Sequence, residues 1–411
     1  MGDVSGIGSR LGMLAAIGQM FNGKRNLWDA FGYNRNLTYT HMLEKYRRQD
    51  ITSRIVDAPA DALWTNPPKF ITEDAAWTDA WEAFVKEQKL WGVIGRADKM
   101  AGMGNYAALL VGFDGGSKLD IPVSYQKSQK VLYLQPYSVD SAEIDKFVSD
   151  PANARFRQPE VYSIGAVAGK SVVGKGVSTT KFAVHYSRIL HVCENPLQDN
   201  IYGNPRLERV WNLLDDLLKV VGGTAETFWL TSNRGMQIDV DKEMELTPDD
   251  EKNLNDEIDE YVHQLRRVIR TRGVKINNLG SDVPDPRNTF DVLLSLISGA
   301  TGIPKRILLG SEAGQLASDQ DRNNWAERVD ERRKHFGEDI VLIPLLNMLT
   351  AAGVLPEAQV EIEWPDPFKM TPLEKAQTAA HMAKSATSLA KAMETNPTLV
   401  TVDESRHILG L

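Results

Sequence analysis

Between Asn204 and Gly302 the chain spells two helical segments around a strand-helix-strand insert, an order that makes the insert project from whatever core the helices build. Asn204-Pro205 supplies an N-cap and a first-turn proline. Leu207, Val210, Trp211, Leu214, Leu217, Leu218 and Val221 then recur at helical spacing up to Gly222-Gly223, a pair that weakens or kinks a helix. Phe290, Leu293, Leu294 and Ile297 mark the second helix, which stops at Gly302-Ile303-Pro304. Met236 to Val240 and Val274 to Ile276 alternate as strands. The helix between them opens at Thr247-Pro248-Asp249-Asp250, where a hydroxyl caps, proline takes the first turn and acids meet the positive end of the dipole. Its apolar stripe is Leu254, Ile258, Val262, Leu265 and Ile269, and Gly273 ends it.

Upstream the patterns are mixed. Residues 1–36 are glycine-rich, with a short apolar patch from Leu11 to Ile17, and read as a flexible arm that orders on assembly. A helix is predicted from Tyr39 to Leu63, bent or ended by Pro59, and another from Trp77 to Met100 with Trp77, Trp81, Phe84 and Val85 on a core face. The uninterrupted apolar run Ala107 to Phe113, closed by Asp114-Gly115-Gly116, reads as a buried strand; Val131–Pro136, Val161–Ile164 and Phe182–Val192 add others. Residues 37–203 are therefore an α+β unit. Downstream, Ser318 is placed to cap a helix running to Ala352, on the order of 50 Å long at roughly 1.5 Å per residue, with bends expected at Gly337 or Pro344. Thr371-Pro372-Leu373-Glu374 opens a further, alanine-rich helix.

At 411 residues the chain calls for two or three packed units, and 42% hydrophobic residues suffice to build them. The single cysteine, Cys193, excludes an internal disulfide framework and a multi-cysteine zinc site. No window approaches the about 18 uninterrupted apolar residues of a bilayer span, so no membrane association is expected. A net charge of -8 argues against a broad phosphate-clamping surface.

Four strings in order carry a resemblance. Met103-Gly104-Asn105-Tyr106-Ala107-Ala108-Leu109-Leu110-Val111-Gly112-Phe113-Asp114-Gly115, His185-Tyr186-Ser187-Arg188-Ile189-Leu190, Thr301-Gly302-Ile303-Pro304-Lys305-Arg306-Ile307-Leu308-Leu309-Gly310, and Asp403-Glu404-Ser405-Arg406 before Leu409-Gly410-Leu411 look like consecutive signatures of tailed-bacteriophage and prophage portal proteins. The resemblance implies an α+β portal fold of wing, stem, clip and crown, assembled as a dodecameric ring at the unique capsid vertex. Family order then places the wing in 37–203, the stem in helices 204–229 and 288–302, and the clip in 230–287. The tunnel-loop region falls in 303–318, the long wing helix in 319–352, and the upper wing and crown in 353–411. Double-stranded DNA passing through the tunnel, terminase, a head-tail connector or adaptor, and major capsid or scaffolding protein are the partners implied. The location implied is the virion, with assembly in the host cytoplasm.

The residues themselves agree with such a conduit. Gly310, Ser311, Glu312, Ala313, Gly314, Gln315, Leu316, Ala317 and Ser318 form a small polar loop between helices, which suits a DNA-facing tunnel loop, although an ordinary helix connector has the same spacing. A basic channel would hold DNA, since neutralising about 6–10 phosphates shifts affinity by about 10³–10⁵ between low and moderate salt; a neutral or acidic tunnel lets it pass. Arg266, Arg267, Arg270, Arg272 and Lys275 are the densest basic cluster. They either complement the end of the clip helix or contact terminase or a connector. Asp321, Arg322, Glu327, Arg328, Asp330, Glu331, Arg332 and Arg333 beside Trp325 and Val329 make the long helix a candidate ring interface.

Several features imitate catalysis. Gly165-Ala166-Val167-Ala168-Gly169-Lys170-Ser171 misses a phosphate-binding loop by one residue between its glycines, with no helix former after it, so no nucleotide cofactor is expected. His185, His191 and Cys193 share strand parity, but on one strand the histidines would be roughly 20 Å apart at about 3.3 Å per residue, and no metal site is expected. Some relatives of this portal group are fused to anti-CBASS phosphoesterase-like domains with paired His-x-Thr/Ser motifs; here only His185-Tyr186-Ser187 fits. A phage phosphoesterase or nucleotidase, and another head-completion component, are the alternatives to a non-enzymatic portal subunit.

Overall fold

The computed structural model describes residues 27–114, 118–123, 130–165, 181–232, 235–240, 247–249, 252–253, 256, 274–279, 285–310, 315–366, 380, 382–388 and 390–391. The chain opens with α1 (Leu27–Phe31), α2 (Tyr39–Arg48) and α3 (Asp50–Trp64). The helix expected over Tyr39–Leu63 is thus divided at Gln49, whose backbone is extended and whose N–H returns to Lys45 O. Pro59 does not end α3, which continues to Trp64. The Trp77–Met100 helix is likewise two, α4 (Ala75–Gln88) and α5 (Leu90–Met103), parted by Lys89 in the left-handed region at φ 50°. Asp74 starts α4 by accepting the N–H groups of Ala76 and Trp77. Trp77, Trp81 and Phe84 are buried, as their spacing predicts.

The strands form small antiparallel sheets. β1 (Lys69–Ile71) precedes α4, and β2 (Ala107–Phe113), β3 (Val131–Ser138), β4 (Ala142–Phe147), β5 (Pro159–Ile164), β6 (Phe182–His185) and β7 (Ile189–Val192) follow α5. One sheet has the order β3-β2-β7 and a second β4-β5-β6. The strand predicted over Phe182–Val192 is broken by a 3₁₀ turn at Tyr186–Arg188, which moves the chain from the second sheet to the first.

All seven residues of β2 are buried, as a continuous apolar run requires. Its two faces serve different cores: Ala107, Leu109, Val111 and Phe113 pack toward Trp64, Trp81, Leu345 and Leu349, while Ala108 and Leu110 join Tyr106, Tyr162, Ile164 and Val184 between the sheets. At Gly112 the Tyr133 ring lies where a Cβ would project, so a side chain there would displace that ring.

The second half is mainly helical. α6 (Trp211–Ser232) runs through Gly222-Gly223 without ending, and α7 (Arg287–Thr301) packs beside it. The insert's two expected strands are β8 (Gly235–Val240) and β9 (Val274–Leu279), paired antiparallel from Gly235↔Leu279 to Val240↔Val274. α8 (Lys305–Leu309), α9 (Gln315–Arg332) and α10 (Ile343–Ala351) follow, with a π-helical stretch at Arg333–Leu342 joining the last two. The long helix therefore widens where a bend was expected. Trp364 accounts for the place: its ring lies against Gly337, its indole N–H donates to Glu338 Oε1 at 2.8 Å, and Arg333 lies over it. Pro344 has no N–H to offer where the register returns to α. β10 (Glu361–Glu363) closes on β1.

α6 and α7 share a core with α2, α3 and α8 through Leu214, Leu217, Leu294, Ile297, Ile55 and Leu308. Residues 27–36, expected within a flexible arm, belong to this unit: Tyr33 Oη donates to Asp216 at 2.6 Å and Lys219 Nζ to Phe31 O at 2.8 Å.

Candidate functional site

Beneath the start of α6 lies a buried quartet of charges that the sequence did not reveal. Asp98 is fully buried on α5, and Glu194 follows β7. Arg206 precedes α6 and Arg332 ends α9. The Asp98 carboxylate accepts Arg332 Nη2 on Oδ1 at 2.7 Å and Nη1 on Oδ2 at 3.0 Å, and also accepts Arg206 and the Trp64 indole N–H. Glu194 takes the same two guanidiniums, from Arg206 Nε at 2.7 Å and Arg332 Nε at 3.0 Å. Remaining donors go to backbone carbonyls of α3: Arg206 Nη1 to Val56 O and Arg332 Nη1 to Pro59 O. Two carboxylates and two guanidiniums cancel in charge, the condition under which their mutual attraction and hydrogen bonds can offset the cost of desolvating them. Burial alone would push Asp98 up, but Arg332 and Arg206 outweigh it and hold the carboxyl below its ordinary value. The nearest sequence signal was Asp98 interrupting an apolar helix face.

Glycines make the approach possible. A Cβ on Gly102 would strike the Arg206 guanidinium, and one on Gly203 would strike the Glu194 carbonyl. The quartet thus joins the sheet-bearing half to both α6 and the long helix. Val329 and Arg333 are also buried within the chain, Trp325 packs on the core shared by α6 and α7, and Asp321 pairs with Arg306 at 3.5 Å. Of the residues named as a candidate ring interface, these pack within the subunit, while Arg322, Glu327, Arg328 and Glu331 are exposed.

The expected tunnel loop is only partly within the described residues. Gly310 ends α8 in the left-handed conformation, φ 68°, with its N–H on Arg306 O. Residues Ser311, Glu312, Ala313 and Gly314 lie outside the described residues. Gln315, Leu316, Ala317 and Ser318 stand on the first turn of α9, so the long helix begins before Ser318 and not after it. Arg266, Arg267, Arg270 and Arg272 also lie outside, and Lys275 sits on β9 opposite Asp239.

The features that imitated chemistry are held in structural roles. Of the near-miss phosphate loop, Gly165 is described, its N–H on Ser141 O at 2.9 Å; residues 166–171 lie outside. His185 Nδ1 accepts the Ser187 N–H at 3.2 Å, which caps the 3₁₀ turn. His191 is on a different sheet: its Nε2–H donates to Ile201 O at 2.8 Å, and its Nδ1 accepts from Tyr162 Oη at 3.0 Å. Burial lowers both imidazoles and pushes the Cys193 thiol up to about 12. Among the described residues no three His, Cys, Asp or Glu side chains group as metal ligands. None of the described helices is long and apolar enough to cross a membrane.

A subunit of sheets on one side and two long packed helices bearing a hairpin insert on the other has the portal fold. The virion of a native gene transfer agent particle contains a chain similar to it, with 15% identity, 92% of this chain and 94% of that one covered, and a TM-score of 0.55. The neck of a native gene transfer agent particle computed with C12 symmetry contains another, at 15% identity, 90% and 93% coverage and a TM-score of 0.53. No curated protein matches the sequence. The family model described as phage portal protein matches residues 40–388, and the chain belongs to that family. Family and fold are those of a structural component and not of an enzyme.

Proposed function

We propose that the chain is the subunit of a dodecameric portal ring at the unique capsid vertex of a virion, assembled in the host cytoplasm and serving as conduit for double-stranded DNA in packaging and ejection. One observation carries the self-association. The stem helices are apolar on two faces: Leu214, Leu294 and Ile297 are buried within the subunit, while Leu218 (59% exposed), Val221, Phe228, Trp229 (71% exposed), Val292 and Leu296 face outward. A monomer has no use for such a surface, and a ring of identical subunits covers it by repeating one head-to-tail contact. The hairpin insert at 230–287, with Lys275 and the four arginines at 266–272, is the part we assign to terminase and the head-tail connector. The 310–318 segment is assigned to DNA, and the sheet-bearing wing to major capsid or scaffolding protein.

Native mass measurement with negative-stain imaging of the purified chain tests this reading. Closed rings of about a dozen copies are expected. A chain that stays monomeric at every concentration and salt would refute it.

A further inference from the structure

A crevice on the sheet-bearing side takes no part in the readings above. It measures about 470 Å³, within the roughly 300–1,000 Å³ of ordinary ligand clefts. Along one side runs the face of α10 that carries Pro344, Asn347, Met348 and Ala351, while Leu345 and Leu349 are buried in the core. Residues 189–191 of β7 also line it. β7 is the edge of its sheet, and among the described residues no strand pairs with its other side. Of the side chains lining the crevice, Arg155 alone is charged, since burial lowers His191 and keeps it neutral. The guanidinium is held in place: Nη2 donates to Pro159 O at 3.0 Å, and the group lies 3.7 Å from the centre of the Tyr186 ring. Its backbone is held too, the N–H donating to Asn153 Oδ1 at 2.9 Å and the carbonyl accepting the Gln158 N–H at 2.8 Å. Nε is buried without a partner, which leaves Nη1 for an acceptor from outside. Among the described residues no carboxylate lies within ion-pair distance of Arg155. Glu160 and Asp199, whose charges act on His185 and His191, do not line the crevice, and Asp199 is engaged by the N–H groups of Ile201 and Tyr202.

We propose that this crevice docks an extended acidic segment of a partner protein, with an Asp or Glu carboxylate on Arg155 and an apolar neighbour against Met348 and Ala351. One fixed guanidinium matches one carboxylate, and the match is best where the donor is already oriented. A phosphate group carries a charge of about −1.5 to −2 and calls for more cations than the one found here. Duplex DNA needs several such contacts. What surrounds Arg155 favours a peptide over a small carboxylic acid. The outer edge of β7 offers main-chain N–H and C=O groups to an added strand. The side-chain amides of Gln158 and Asn347 line the crevice, make no hydrogen bond among the described residues, and supply both donors and acceptors to a peptide backbone. The inference rests on the assignment of the sheet-bearing side to a partner protein, and adds the chemistry of the segment that binds there.

End-blocked, fluorescein-labelled hexapeptides with Glu or Asp at the third position and each apolar residue in turn at the fourth test it, by anisotropy against the full-length chain. Acidic members are expected to bind, and the same peptides with Gln or Asn in place of the acid to bind about tenfold or more weaker, the worth of one charge-assisted hydrogen bond. R155Q should bring the acidic peptide down to the affinity of its amide form and leave the amide form unchanged. A351W, at an exposed position of α10, should fill the crevice and abolish binding of both forms while the chain still folds by circular dichroism. Inorganic phosphate should displace the peptide no better than acetate does. No binding by any acidic peptide, equal binding of acid and amide forms, undiminished binding by A351W, or displacement by phosphate where acetate has no effect would overturn the crevice assignment. Rings counted in the same samples keep the readings apart: rings without peptide binding would remove the crevice assignment alone, and peptide binding without rings would leave it standing.

Discussion

Asp98 and Arg332, 234 positions apart in sequence, meet as a bidentate pair in the interior, Nη2 to Oδ1 at 2.7 Å and Nη1 to Oδ2 at 3.0 Å. The pair binds the end of α9 to α5, and Glu194 and Arg206 complete it, so the long helix, the start of α6 and the sheets are referenced to one point.

Removing one charge from that point should be costly. Asp98→Asn leaves two guanidiniums sharing one carboxylate in a dry site, and the expected loss is about 3–5 kcal/mol. Denaturant unfolding should show a lower midpoint at unchanged slope. A midpoint equal to the parent's would show that the quartet contributes nothing to stability.

The same carboxylate predicts a pH dependence. Because Asp98 is held below its ordinary value in the folded chain, the unfolded chain binds the proton first as pH falls. Its contribution is fully present above about pH 4, the ordinary Asp range, and is lost progressively below it. Urea midpoints measured from pH 6 to pH 3 should fall more steeply for the parent than for Asp98→Asn. Parallel curves would contradict the assignment.

The glycines rank by what a Cβ would meet. Gly310→Ala adds only left-handed strain, about 1 kcal/mol, because nothing stands within 4 Å of the new carbon. Gly302→Ala has the same strain and also displaces the movable end of Arg328. Gly203→Ala drives a carbon into the Glu194 backbone carbonyl, which cannot swing away, and should cost about 1–3 kcal/mol or more. Thermal midpoints should fall least for 310 and most for 203; the reverse order would disprove the packing argument.

Inner and outer faces of α6 and α7 should separate stability from association. Leu214→Ala on the buried face should cost about 2–5 kcal/mol. Leu218→Ser with Leu296→Ser on the outer face should change monomer stability by less than about 1 kcal/mol in total while lowering ring yield in sedimentation velocity. Unimpaired rings from the outer variant would show that this face is not an interface.

Cys193 should be inert. With its thiol pushed up to about 12 by burial, alkylation by iodoacetamide at pH 8 should be negligible in the folded chain and complete after unfolding in guanidinium. Equal rates in the two states would mean that the β7 end opens freely.

Local periodicity made much of the fold legible. The apolar run Ala107–Phe113, closed by turn residues, read as a buried strand, and β2 is one, covered on both faces. Alternation at 236–240 and 274–276 marked the hairpin, and helical spacing at 207–221 marked α6. The breaks at Gln49 and Lys89 were not legible, since neither is a glycine or proline and apolar spacing continues across both. Nor was the split between β6 and β7: parity along 182–192 assumes one strand, while the turn at Tyr186–Arg188 sends His185 and His191 to different sheets.

The sequence by itself determined most of the helical segments, the strands β2, β3, β5, β8 and β9, the family resemblance and the absence of a multi-cysteine framework, because periods of 2 and 3.6, caps and cysteine counts are properties of neighbouring residues. Tertiary structure alone decided the quartet of Asp98, Glu194, Arg206 and Arg332 and the pairing of β1 with β10. The reason is physical. Whether a charge in a helix is solvated, neutralised or left in surplus depends on which distant groups the folded chain brings within about 4 Å, where Coulomb energy in a low dielectric outweighs hydration only for a matched partner.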